Sequence, residues 1–173
     1  MAMKTFKQIK PNDIPGNIIQ RISEQWMLIS AKETNSNKFN MMTASWGMAG
    51  FMWNKPVIMC VIRPHRYTYE FTEQSDVAAF TFFGDEYREM LNFCGSKSGR
   101  DYDKVKETGL TPCFDIDDAV YFDEAELVIV GKKLYADNYK EDSFVVDQTS
   151  WYPNKDYHRT YIYEITDVLI RSD

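Results

Sequence analysis

The run Pro56-Val-Ile-Met-Cys-Val-Ile-Arg-Pro64 constrains this chain more than any other stretch. Its two prolines bracket six consecutive apolar residues, four of them β-branched, in a length too short for a helix. Such a run reads as a strand buried on both faces. Further β-type runs lie at 6–11, 26–32, 39–46, 76–84, 113–116, 119–122, 125–134, 142–146 and 160–170. The turn Thr34-Asn-Ser-Asn-Lys38 makes 26–32 and 39–46 a hairpin candidate, whereas 47–55, punctuated by Gly47 and Gly50, reads as irregular. Helical patterns are few: 17–24, with Asn17 as cap and Ile18, Ile19 and Ile22 on one face, then 67–75, 85–92 and 101–108. Short strands with single helices between them, and no β-α-β-α rhythm, predict a mainly β, antiparallel barrel with helical excursions. No repeat or linker divides the chain, so residues 1–173 are expected to form one domain.

Aromatic residues make up 15% of the chain, which suits β-rich structure and a binding surface built from flat rings. The net charge of −6, without a block of Lys and Arg, argues against a nucleic-acid partner. No apolar stretch is long enough to span a bilayer and the first ten residues are polar, so no membrane association is expected and a cytoplasmic location is. Cys60, Cys94 and Cys113 form no CxxC pair, and only His65 and His158 are present, so neither a disulfide framework nor a metal site is expected. The acidic cluster Asp115, Asp117, Asp118 lacks the glycine and terminal Glu of a calcium loop and reads as a solvated turn.

Three segments concentrate hydroxyls, glycines and cations. In Asn40-Met-Met-Thr-Ala-Ser-Trp-Gly47, period two places Thr43 and Ser45 on one face and Trp46 on the other. This suits a planar ring with polar edges, and equally an edge strand with solvent-facing hydroxyls. In Arg63-Pro-His-Arg-Tyr-Thr68, two guanidiniums at i and i+3 precede a helix start, a good receptor for a phosphate. The rival reading pairs the arginines with carboxylates such as Glu70, four residues from Arg66, or Glu73. Phe93-Cys-Gly-Ser-Lys-Ser-Gly-Arg-Asp101 is rich in small polar residues but lacks the GxxxxGK[ST] spacing, which excludes a P-loop. Either it closes over a ligand edge or it is a helix cap and turn. No GxGxxG follows a first strand, so a Rossmann-type site is unsupported.

Taken in order, these three segments, the Trp53-Asn-Lys-Pro56 entry into the apolar strand and the continuation Tyr102-Asp-Lys104 resemble the flavin reductase-like family, in particular its flavoredoxin-type FMN-binding split barrels. The resemblance spans about residues 10–170. It implies a Greek-key split β-barrel, a homodimer, and one FMN per subunit near the dimer interface. Carried onto this sequence, it implies that Thr43, Ala44, Ser45 and Trp46 touch the flavin, that Arg63, Arg66, Tyr67 and Thr68 surround the ribityl phosphate, and that Ser96, Lys97, Ser98 and Gly99 complete the site. Trp151-Tyr-Pro and Tyr157-His-Arg159 are similar to the family's C-terminal segment, whose aromatics approach the flavin.

A flavin does the redox work itself, so a protein that holds one needs no acid, base or nucleophile of its own, and none in a convincing constellation is found. The expected function is an FMN-dependent oxidoreductase that takes electrons from NADH or NADPH and passes them to flavin, another small-molecule electron acceptor or a redox protein. The alternative is a non-catalytic FMN electron-transfer module serving a redox partner.

Overall fold

In the computed structural model, which describes residues 5–172, every strand pairing is antiparallel. The strands are β1 (Phe6–Ile9), β2 (Met27–Lys32), β3 (Phe39–Ala44), β4 (Gly47–Met52), β5 (Lys55–Ile62), β6 (Val77–Phe82), β7 (Pro112–Cys113), β8 (Tyr121–Phe122), β9 (Leu127–Asn138) and β10 (Arg159–Arg171). The main sheet runs β3-β2-β6-β9-β10-β5-β4, and β1 pairs with the far half of β10. β10, 13 residues long, holds β5 along Arg159 to Glu164 and β1 along Val168 to Arg171, with register shifts against β9 at Ile162/Tyr163 and at Ile165/Asp167. Such shifts bend the strand and let one long element serve two directions.

β3 and β4 are the two ends of this order, yet only Ser45 and Trp46 separate them in sequence. Three trans peptide steps cover at most about 11 Å. The sheet must therefore roll until its two edges approach at this corner, without pairing. At that corner a side chain on Gly47 would stand 2.5 Å from the Met59 carbonyl oxygen, so the chain can pass only with a glycine. The result is a barrel split between β3 and β4.

Period-two alternation sends neighbouring residues of one strand into two different cores. Met27 and Ile29 of β2 and Leu127 and Ile129 of β9 join Ile58, Cys60, Phe80, Tyr161 and Tyr163 inside the barrel. Leu28, Val128 and Val130 face outward, under Met90, Leu91 and Cys94 of a helix. This double burial explains why the apolar runs read as continuous. The proline-bracketed run is β5, buried from Val57 to Ile62 except for half-buried Met59.

The helices are α1 (Ile18–Gln20), continued by a wider turn over Arg21–Gln25, α2 (Tyr67–Gln74), α3 (Arg88–Ser96) and α4 (Lys104–Thr108). Asn17 caps α1, its Oδ1 accepting from the Ile19 and Gln20 amides at 2.9 and 3.4 Å. Ile22 is buried but Ile19 points to solvent, because the wider turn breaks the 3.6-residue register that would have aligned them.

Four sequence expectations are corrected. Residues 47–52 are not irregular but form β4, pairing with β5 across a turn at Trp53 and Asn54. Residues 142–146 form no strand; they lie in a strap, residues 139–158, that carries only two 3₁₀ turns. The helix expected at 85–92 is a 3₁₀ turn at Asp85–Tyr87 followed by α3, which extends through Cys94, Gly95 and Ser96. Residues 113–116 and 119–122 contribute only the short pair β7 and β8. The expected hairpin forms as β2–β3, with Lys32 opposite Phe39.

Candidate functional site

Three helices and the end of β3 frame a cleft of about 250 Å³ on the outside of the barrel. β3 supplies Asn40 and Met42, the N-terminus of α2 supplies Arg66, Tyr67 and Thr68, and α3 with its following loop supplies Gly95 to Gly99. Thr43 ties α3 to the strand, its hydroxyl donating to the Leu91 carbonyl at 2.6 Å. Asn40 and Thr68 are buried and joined by a 2.8 Å bond from Asn40 Nδ2 to Thr68 Oγ1. Gly99 packs directly on that pair: a Cβ there would stand 2.0 Å from Asn40 Oδ1, so any side chain would push Asn40 off Thr68. Arg100 closes the rim, stacking on Tyr67 and pairing with Glu70.

Three cations line this cleft: exposed Lys97, half-buried Arg66 and buried Lys104. Arg66 caps the entry to α2 and donates to the Gly95 carbonyl at 3.0 Å. Lys104 is buried, its ammonium donating to the carbonyls of Met41 and Cys94, each at 2.8 Å, which leaves a third N–H. Among the described residues none of the three has a carboxylate partner. Burial holds the Lys104 pKa down to about 8, and burial with the nearby Arg63 charge lowers that of Arg66. The Tyr67 and Thr68 amides at the start of α2 precede the first intrahelical bond, made by the Tyr69 amide to the Arg66 carbonyl, and add positive potential on the same side. Uncompensated buried charge is costly, and an anionic group carrying several acceptor oxygens would relieve it.

A second cavity of about 240 Å³ lies at the split corner and shares Met42 and Arg66 with the first. Its walls are Thr43, Ala44, Ser45 and Trp46 on one side and Arg63, Trp151 and His158 on the other. The strap builds this second wall. Arg63 donates to the Asp156 carboxylate at 2.9 Å and to the Trp151 carbonyl at 2.7 Å, and lies over the Tyr152 ring. Its guanidinium hydrogen bond holds the Asp156 carboxyl below its ordinary range. Tyr152 OH and His158 Nδ1 are 2.8 Å apart, and burial, reinforced by the Arg63 charge, pushes His158 down to about 4, so it is neutral at pH 7. Trp46 meets Trp151 edge-on, ring centroids 5.1 Å apart, and His158 at the same distance.

All twelve residues expected from sequence lie on one or other of these cavities, with Arg66 on both. They divide, however. Arg66, Tyr67, Thr68, Ser96, Lys97, Ser98 and Gly99 line the first cavity, while Thr43, Ala44, Ser45, Trp46 and Arg63 line the second. The Glu70 pairing considered for Arg66 goes instead to Arg100, and Glu73 is taken by Arg159 and Tyr161. Arg63 does pair with a carboxylate, Asp156. Residues 94–96 end α3, with Lys97 as its C-cap, and the true loop is 97–103. Lys104, Asn40 and Asp156 were not singled out as site residues from sequence, although Asn40 opens one of the three segments and Tyr102-Asp-Lys104 continues another. Among the described residues, no cluster of His, Cys, Asp and Glu could hold a metal ion.

A family model described as Flavin reductase like domain matches residues 19–173, including β3, the Arg63 to Thr68 segment, α3, α4 and the strap. The chain belongs to the flavin reductase-like family. The fold of this flavin reductase-like domain agrees with solved structures. Flavoredoxin of Desulfovibrio vulgaris (Miyazaki F) superposes with a TM-score of 0.67 at 22% identity, over 85% of this chain and 69% of that one. An FMN-binding domain of a flavin reductase-like enzyme from Shewanella baltica gives 0.70 at 13% identity, over 99% and 80%. An FMN-binding protein from Thermus thermophilus gives 0.66 at 13%, over 94% and 80%. No curated protein matches the sequence.

Proposed function

We propose that this flavin reductase-like domain binds FMN across the two adjoining cavities and works as an oxidoreductase fed by NADH or NADPH. The observation that carries the reading is that Arg66 and Lys104, with exposed Lys97, line one cleft that no carboxylate lines. They suit the terminal phosphate, which carries between one and two negative charges and three acceptor oxygens at neutral pH. The second cavity, walled by Thr43 to Trp46 and by the aromatic rings of Trp151 and His158, suits the ring system. Bound FMN would supply the chemistry by accepting an electron pair from the nicotinamide and passing it on. The chain's own residues then bind and orient. Arg66 and Lys104 neutralise the phosphate, and the Asn40–Thr68 pair, kept in place by Gly99, fixes the first turn of α2. The strap covers one side of the ring cavity, with a neutral His158 behind Trp46.

The homodimer belongs to this proposal. Its support is the edge strand β4, which exposes Met48, Phe51 and Met52 with Trp53 beside them, a concentration of apolar surface on an unpaired edge. A cytosolic site of action is proposed with it, in keeping with the free thiols of buried Cys60 and Cys94. Anaerobic stopped-flow mixing of the FMN-loaded protein with NADH and with NADPH tests the activity. Bleaching of the flavin absorbance at rates of turnover is expected with at least one donor. No bleaching with either would remove the reductase and leave an electron-transfer module.

A further inference from the structure

Next to the flavin cavity lies a further groove of about 310 Å³. Trp46 and Trp151 line both cavities. The remaining walls are mainly Phe144, Tyr152 and the neighbouring pair Val145 and Val146, which are 100% and 64% exposed. No charged side chain lines it. A chain segment that leaves two valines and a tryptophan in solvent beside a groove of this size is unusual unless something apolar enters.

We propose that this groove binds an uncharged planar ring compound, and that the electron acceptor of the domain is a neutral aromatic or quinone-type molecule. The proposal rests on the FMN reading above. Three observations support it. The volume suits one or two fused rings. The faces on offer are aromatic, and rings pack there edge-to-face or offset as Trp46 and Trp151 already do. The strap is acidic where it flanks the groove: of its four carboxylates, Glu141 pairs with Lys155 and Asp156 with Arg63, which leaves Asp142 and Asp147 without a cation partner among the described residues. Anionic acceptors such as metal citrates would be repelled by that rim, and a second copy of this chain docking here would set Asp142 and Asp147 against their own kind. In the net reaction, a quinone gains two electrons and two protons, supplied as a hydride by NAD(P)H and one proton by solvent, and leaves as a hydroquinone.

Equilibrium dialysis of the oxidised, FMN-loaded protein against two redox-inert probes, neutral 2-naphthol and anionic 2-naphthalenesulfonate, tests the groove. Saturable binding of 2-naphthol at least tenfold tighter than the sulfonate is expected. Val146→Asp, a change on the exposed rim, should weaken 2-naphthol at least tenfold and leave FMN retention unaltered. Absence of saturable naphthol binding, equal affinity for the sulfonate, or an unchanged affinity in Val146→Asp would overturn the proposal. So would conversion of a dimer to a monomer by Val146→Asp, since the face would then belong to the second copy. A wild-type protein that binds 2-naphthol but retains no FMN would overturn the acceptor role through the reading it rests on, and the same dialysis reports both.

Discussion

At the scale of residues, the site is defined by charge without a counter-charge. Lys104 shows how that arises: two carbonyls take two of its protons, burial lowers its pKa to about 8, and the remaining N–H is left for a ligand. Its folded pKa lies below the ordinary lysine value, so in the free protein the ammonium is charged below pH 8 and loses its proton above. An anion binds the charged form. FMN affinity should therefore fall as pH rises from 7 to 9.5, by up to about tenfold per pH unit above 8 where binding and protonation are fully coupled. Fluorescence titration with Lys104→Met should give weaker binding and a flat profile over the same range. A wild-type affinity independent of pH would contradict the assignment. Arg66 was legible in the sequence because two guanidiniums three residues apart before a helix start are chemically conspicuous. Lys104 was not, because burial of a lysine is decided by the packing of α3 and α4 on β3, which no local pattern announces.

At the scale of elements, Arg63 fastens the strap as a latch. Its bonds to Asp156 and Trp151 and its stacking on Tyr152 are the fastening closest to the ring cavity. Arg63→Met should raise the rate of limited proteolysis within 139–158 at least about tenfold, because the strap loses two charged hydrogen bonds at once. An unchanged rate would show that the strap is held elsewhere. The latch was hidden in the sequence because its two ends are 93 residues apart. β4 was hidden for another reason: Gly47 and Gly50 lower strand propensity, yet β5 supplies a complete antiparallel partner and Gly47 is required by the close approach of Met59. Residues 142–146 show the converse, an apolar pattern with no strand beside it. β2, β3, β5, β6 and β9 were readable because alternation or continuous burial survives in each.

At the scale of the whole molecule, the absence of a β-α-β rhythm correctly marked an antiparallel, mainly β fold, but not its strand order. That order follows from long-range choices, β10 pairing with β1, β5 and β9 at once, and from the two-residue link that brings the sheet's edges together. The split places β4, with Phe51 71% exposed, on the outside. If a second copy covers this edge, Phe51→Asp should turn a dimer into a monomer in sedimentation velocity runs at tens of micromolar, and a wild-type monomer would remove the dimer. The same split sets the ring cavity beside the cationic cleft, and the central claim is that a phosphate occupies the latter. Comparing FMN with riboflavin, which differ only in that phosphate, by titration of the flavin-free protein at pH 7 tests this most directly. The account predicts that FMN binds at least about a hundredfold more tightly, as expected when two charged contacts of roughly 1.5 kcal/mol or more are lost. Equal affinities for the two flavins would contradict it.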